Sequence, residues 1–198
     1  MRDSSAMALN VGEVWIEWKR LTRFLECSRI AFQRELNIWD GLEIPDLGAV
    51  KILTTDGNSE FKVTASEHIE TLRDDALLCF IVLIYSYSLC ECFARIRLGL
   101  GECEPIPGGV EIWGEKLLTT TGNTWKDVLG GRAGLIEVAV VRNFISHGSR
   151  TVSQSTLDRF ANSKESSPWA LGDSVSLSYG KVEEYRSRLK SLMRLGSS

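Results

Sequence analysis

Apolar side chains recur at helical spacing at both ends of the chain. Between residues 11 and 39 they stand three, four or seven positions apart, which keeps them on one face and predicts a long amphipathic helix. The apolar positions of this helix are Val14, Trp18, Leu21, Leu25, Phe32 and Leu36. The closing segment from Lys181 to Leu195 has the same spacing, with apolar residues at 182, 185, 189 and 192. It predicts a second amphipathic helix.

A third helix is predicted between these two, and it is much more apolar. Thr64 and Glu67 have the spacing of a capping box, which marks a helix start. The helix is expected to run on to about Leu98, where Gly99 follows. Because it is apolar nearly all round between residues 76 and 93, it is expected at the centre of a bundle or at an oligomer interface.

A fourth helix is predicted from Ala133 to His147, with Gly148 available to end it in the left-handed conformation. The connections are expected to be long. We predict a loop at 41–59 with a small hairpin at Asp56-Gly57, an irregular connection at 99–131 with a short element near 125–129, a serine-rich loop at 153–167 and a short strand at 174–179. Four helices joined by long loops predict an all-α bundle.

Composition bounds the kind of protein. The 198 residues suit one domain, and 43% hydrophobic with 25% charged residues is typical of a globular protein. We therefore expect a single domain over 1–198, with 11–39 as an additional N-terminal helix and 66–195 as the core bundle. A net charge of −3 argues against one large basic face. Contact with nucleic acid is expected to be local.

The cysteines and the apolar run bear on location. Five cysteines, three of them in an apolar stretch, argue against a disulfide framework and favour a reducing, cytoplasmic setting. The start of the chain has no signal-peptide pattern, since Gly12 and Glu13 interrupt it. The uncharged run from Ala76 to Cys90 is shorter than the roughly 20 residues of a membrane helix. A buried helix is therefore expected there, and no membrane partner.

The most informative chemistry lies between Arg142 and Gly148, where an arginine, an amide and one of two histidines stand close together. An arginine fork can hold two phosphate oxygens at once. A histidine changes protonation near neutral pH. Together Arg142 and His147 predict chemistry on a phosphate ester without a metal or cofactor. RNA suits this site best, because its 2′-hydroxyl is a built-in nucleophile.

The segment resembles the signature of the HEPN superfamily (higher eukaryotes and prokaryotes nucleotide-binding). That pattern is an arginine, usually followed by a polar residue, with a histidine four to six positions on, and Arg142, Asn143 and His147 match it. The segment from Tyr85 to Glu91 is similar to the tyrosine-serine-x-x-glutamate region of the family's other core helix. The stretch from 173 to 195 is similar to some bacterial members. The resemblance covers about 66–195 and does not explain the N-terminal helix.

The resemblance implies a metal-independent endoribonuclease, of the toxin or anti-phage defence type, that acts as a homodimer with one composite site. His147 would transfer a proton from the 2′-hydroxyl or to the leaving oxygen, and Arg142 would stabilise the phosphorane-like transition state. Asn143 would hold substrate or orient the histidine. Glu91 would orient Arg142 or His147, or else pair with Arg95 at i+4. The expected partners are RNA, with tRNA and mRNA as candidates, and an antitoxin or regulatory protein.

A second hypothesis keeps the fold and drops the catalysis. The chain would then be a helical adaptor or regulatory module whose motif helix is mainly a dimerisation surface, and the nearly balanced charge favours it. Nucleotide binding without turnover ranks last, because no glycine-rich loop precedes a helix in the known phosphate-binding forms. The additional N-terminal helix is expected to cover the cleft, mediate assembly or bind a partner.

Overall fold

Helices dominate the computed structural model, which describes residues 9–53, 62–101, 104–149 and 151–197. The helices and strands in these ranges are α1 Val11–Asp40, β1 Lys51–Leu53, β2 Lys62–Thr64, α2 Ala65–Arg73, α3 Ala76–Arg97, α4 Val110–Thr120, α5 Gly131–His147, α6 Gln154–Asn162 and α7 Tyr179–Leu195. The predicted all-α class with a small hairpin is confirmed. The strands pair antiparallel, with Lys51 opposite Thr64. The predicted turn at Asp56-Gly57 lies outside the described residues.

Helix α3 is the centre of the bundle, and it packs on α1, α4, α5 and α7. Its buried face includes Cys79, Val82, Leu83 and Phe93. The buried residues of α1 belong to the same hydrophobic cluster as those of α3 and α7. The first helix is therefore packed into the same core as the rest of the bundle.

Helix α3 also exposes an apolar stripe. Leu77, Ile81 and Tyr85 stand four positions apart and are 66%, 51% and 42% exposed, so they share one face of the helix. In the described part, α3 is the one helix long and apolar enough to cross a membrane, with a mean hydropathy of 2.0 over its most apolar stretch, of which 44% is buried. Core helices of soluble bundles can be equally long and apolar.

The helix predicted from 64 to 98 proves to be two helices. Thr64 and Glu67 form the expected capping box at the start of α2. Asp74 interrupts the helix, because its backbone turns extended (ψ 90°) and its carboxylate accepts the N–H of Ala76 at 3.0 Å. A short polar side chain that bonds its own backbone competes with the helix at this point.

The predicted irregular connection at 99–131 is wrong over its middle part, which forms α4. Gly114 interrupts the helical pattern of α4 in the sequence, but it has a packing role. A Cβ at Gly114 would lie 2.5 Å from the ring of Trp125, so glycine lets the indole pack on the helix. The element expected near 125–129 is a turn, in which Asp127 accepts the N–H of Thr124.

Two further expectations near the C-terminus are wrong. The serine-rich segment expected as a loop at 153–167 instead forms α6 over 154–162, because Thr156 and Phe160 share a buried face and Phe160 packs on α5. The strand expected at 174–179 is reduced to a single bridge between Thr151 and Ser174, and Tyr179 begins α7. The predicted helix from Lys181 to Leu195 is confirmed as most of α7.

Candidate functional site

Two glycines define the helix that carries the motif. Gly130 precedes α5 with φ 79°, and Gly148 follows it with φ 68°, so both adopt the left-handed conformation that favours glycine. Between them Leu135, Val138 and Ala139 are buried in the core. The candidate residues therefore lie at the exposed C-terminal end of a helix whose body is fixed by packing.

Arg142 is held on several sides. Its Nη1 donates to Oδ1 of Asn143 at 2.9 Å, and its Nη2 lies 3.9 Å from Oε2 of Glu91. Its guanidinium carbon stands 5.3 Å from the ring centre of Tyr87. Its buried Nε has no hydrogen-bond partner in the described part of the chain. The fork is therefore oriented before any ligand arrives.

Glu91 lies on α3, 3.9 Å from Arg142 of α5. Burial raises the pKa of Glu91, while the charges of Arg142 and Arg95 lower it. The carboxylate therefore lies in the field of its helix neighbour at i+4 and of the motif arginine. Its contact with Arg142 joins α3 to α5, and its role in orienting Arg142 stays a prediction.

His147 occupies a different position from Arg142. The imidazole is exposed, on the rim of a cleft of about 310 Å³ between α5 and α6. In the described part of the chain it forms no ion pair or hydrogen bond. The cleft is lined by Val140, Asn143, Phe144, His147, Ser149, Ser153, Ser155, Thr156 and Arg159. Arg142 is not among them, as expected for residues about 140° apart around a helix.

Asn143 connects the two positions. It accepts the hydrogen bond from Arg142 and also lines the cleft beside His147. A single chain thus brings Arg142, Asn143 and Glu91 together, and separately brings Asn143 and His147 together. It does not place the arginine and the histidine on the same cleft.

Arg159 was missed from the sequence. It lines the cleft with His147 and forms a two-point ion pair with Glu111, with its Nε and Nη2 at 3.0 and 2.6 Å from the carboxylate oxygens. Burial raises the pKa of Tyr87, and both Arg142 and Arg159 counteract this rise. The serine-rich composition around Arg159 concealed the helix that positions it. We name Glu91, Arg142, Asn143, His147 and Arg159 the motif site.

The described part of the chain contains no group of three His, Cys, Asp or Glu side chains that could hold a metal ion.

Comparison with known proteins assigns the chain to no family. No family model matches the chain, and no curated protein or solved structure matches it significantly. The resemblance to the HEPN superfamily therefore stays a prediction, and it rests on the residues quoted for it.

Proposed function

We propose that the chain is a metal-independent endoribonuclease whose active site is the motif site, completed by a second copy. The observation that carries the proposal is Asn143, which is bonded to Arg142 and lines the cleft of His147. One residue thus bonds a positioned guanidinium and lines the same cleft as an exposed imidazole. Phosphoryl transfer needs those two groups within reach of one phosphate.

In the proposed reaction the 2′-oxygen of RNA attacks the adjacent phosphorus, and the bond to the 5′-oxygen breaks. One imidazole accepts the 2′-proton, and an imidazolium donates a proton to the leaving 5′-oxygen. Arg142 stabilises the extra charge on the phosphate oxygens. The products are a 2′,3′-cyclic phosphate and a 5′-hydroxyl. The His147 side chains of the two copies in a dimer would supply the two proton transfers.

The exposed stripe on α3 supports the second copy. Leu77, Ile81 and Tyr85 lie on the helix that also carries Glu91. Burial of such a stripe against its own copy would form a two-fold interface. Arg142 and His147 of one chain lie apart, and a two-fold arrangement is the simplest way to bring an arginine of one copy to the cleft of the other.

One observation favours the adaptor hypothesis instead. Arg142 already has a carboxylate and an amide as partners within its own chain. An arginine so engaged can have a purely structural role, in which it ties α5 to α3. The two hypotheses differ in what the loss of His147 does, because the exposed imidazole has no structural contact to lose.

The deciding experiment is incubation of purified protein with RNA in a chelator, comparing wild type, His147→Ala and the matched control His68→Gln. His68 contacts Glu35 and Trp39, away from the cleft. We expect cleavage with cyclic phosphate ends by wild type and by the control, and none by His147→Ala. Equal cleavage by all three proteins, or intact RNA with wild type, would refute the proposal.

A further inference from the structure

A groove between α1 and α7 collects positive charge in a chain that is acidic as a whole. Its volume is about 700 Å³. Two cations come from each helix, four positions apart, together with two indoles from α1. These six residues are Lys19, Arg23, Lys190, Arg194, Trp15 and Trp18. We name this region the basic groove, and no carboxylate is among the described residues that line it.

The two lysines and two arginines of the groove lack the ion pairs that many other arginines of the molecule form. Within the described part of the chain their side chains form no ion pair, whereas Arg20, Arg29, Arg132 and Arg188 each pair with a carboxylate. Four unpaired like charges around one groove repel one another. A bound polyanion would remove that repulsion.

Helix stabilisation does not account for all four charges. Lys190 and Arg194 lie in the last turns of α7, where a cation interacts favourably with the helix dipole. Lys19 and Arg23 lie well inside α1, which runs from Val11 to Asp40. The dipole effect is confined to the terminal turns, so the two α1 cations need another explanation.

The aromatic wall is rigid. Trp15 packs edge to face on Trp18 and on Phe93, with ring centres 6.4 and 6.3 Å apart. Trp15 is only partly buried, which leaves ring surface open to a ligand. A cationic channel beside a fixed aromatic ring is the arrangement that binds single-stranded nucleic acid, through phosphate contacts and base stacking.

The buried Arg186 packs against Trp18, next to the groove but not among its lining residues. Its guanidinium donates to Oγ1 of Thr22 at 2.7 Å and to Oγ of Ser86, and it stands 4.5 Å from the ring centre of Trp18. Beyond it a smaller cavity of about 150 Å³ is lined by Glu26 and Glu183. Arg186 and Lys190 line this cavity as well, so its charges balance, whereas the groove has four cations and no carboxylate.

We infer that the basic groove binds the phosphate backbone of single-stranded RNA, with Lys19, Arg23, Lys190 and Arg194 as phosphate contacts and Trp15 as a stacking surface. The anionic nature of the ligand follows from the groove alone. The choice of RNA rests on the proposed function. The groove shares no residue with the motif site, so it would hold the strand away from the cleaved bond.

The test is fluorescence anisotropy with a labelled 2′-O-methyl RNA 12-mer, which lacks the nucleophile and stays intact. Single strands release about 0.7 counterion per phosphate contact, so loss of two contacts makes the slope of log K against log salt shallower by about 1.4. At 0.1 M salt this corresponds to about 25-fold weaker binding. We expect this weaker binding for Lys19→Gln/Arg23→Gln and also for Lys190→Gln/Arg194→Gln.

The matched control is Lys116→Gln/Lys126→Gln, which removes two exposed cations outside the groove. It should bind within about twofold of wild type, because its lost charges touch no phosphate. Circular dichroism checks that each variant folds. Because the two groove variants change different helices, the inference can still be tested with one of them if the other misfolds. Equal binding by groove and control variants overturns the inference, as does wild-type binding to anionic phosphatidylglycerol vesicles without RNA binding.

Competition by inorganic phosphate or AMP distinguishes a strand from a single phosphate. If either competes as well as an unlabelled 12-mer at equal phosphate concentration, the site takes a phosphate group and the inferred strand is wrong. The failure of the proposed function would look different. Wild type would then bind the 2′-O-methyl strand through the groove and leave unmodified RNA uncut.

Discussion

Arginines at the motif site have partners in their own chain, whereas the cations of the basic groove have none among the described residues. Arg142 meets Glu91 and Asn143, and Arg159 meets Glu111. Lys19 and Arg194 line the groove and are exposed to solvent. Internal pairing fixes a side chain in place, as transition-state stabilisation requires. Unpaired charge attracts an external anion without dictating its position.

The difference suggests a division of tasks. A positioned guanidinium beside a titratable imidazole suits bond cleavage. A set of unpaired lysines and arginines beside a packed indole suits the binding of a strand whatever its sequence. Substitutions in the motif site should therefore lower kcat for RNA cleavage, and substitutions in the basic groove should weaken RNA binding.

The largest effect is expected from Arg142. Its replacement by alanine should lower kcat for RNA cleavage by about 10²- to 10³-fold, because one strong transition-state contact is lost. Arg142→Lys should recover only part of this, since lysine lacks the fork. The control is Arg34→Ala, which removes an exposed arginine of α1. Wild-type turnover by Arg142→Ala would mean that the Glu91 pair is structural, as in the adaptor hypothesis.

A substantial effect on stability is expected from Arg186, which at 7% exposed is the one buried charged residue in the described part of the chain. Burial lowers its pKa to about 10. Arg186→Ala should cost about 3 kcal/mol in free energy of unfolding, through the cavity and the lost bonds between three helices. The measurement is urea unfolding followed by circular dichroism.

The control for that cost is Arg186→Met, which keeps the volume. It should cost less than about 1 kcal/mol, since Thr22 and Ser86 still donate to backbone oxygens of their own helices. An equally large loss in Arg186→Met would show that the buried charge itself stabilises the bundle.

The smallest effect is expected from Glu91, and it is a pH dependence. Burial raises the pKa of this carboxyl in the folded state. The folded chain therefore binds the proton of Glu91 more tightly than the unfolded chain does. Its contribution to stability is therefore present below the unfolded pKa and is lost as the pH rises through the folded pKa. The stability of wild type relative to Glu91→Gln should be higher at pH 4 than at pH 7. A difference that grows with pH would show that Arg142 outweighs burial.

Local sequence signals were sufficient for the motif helix but not for its surroundings. The end of α5 was predictable because Gly148 directly follows the last apolar turn. Helix α4 was not, because Gly114 is explained only by the ring of Trp125, which reaches it from outside the helix. Arg159 was overlooked in a serine-rich segment whose helix depends on burial of Phe160 against α5.

The basic groove was beyond prediction for a related reason. The two helices that form it lie near opposite ends of the chain, and their contacting residues Trp18 and Arg186 are 168 positions apart. Net charge, at −3, gave no sign of it. A charge pattern of this kind exists only after α1 and α7 have packed on α3.

The most direct test of the division of tasks is steady-state cleavage of an RNA 12-mer in chelator by wild type, His147→Ala and Lys19→Gln/Arg23→Gln. We predict that His147→Ala loses at least about 100-fold in kcat. The groove variant should raise KM by about 25-fold and approach wild-type turnover at saturating RNA. Loss of kcat in the groove variant, or turnover by His147→Ala, would contradict the account.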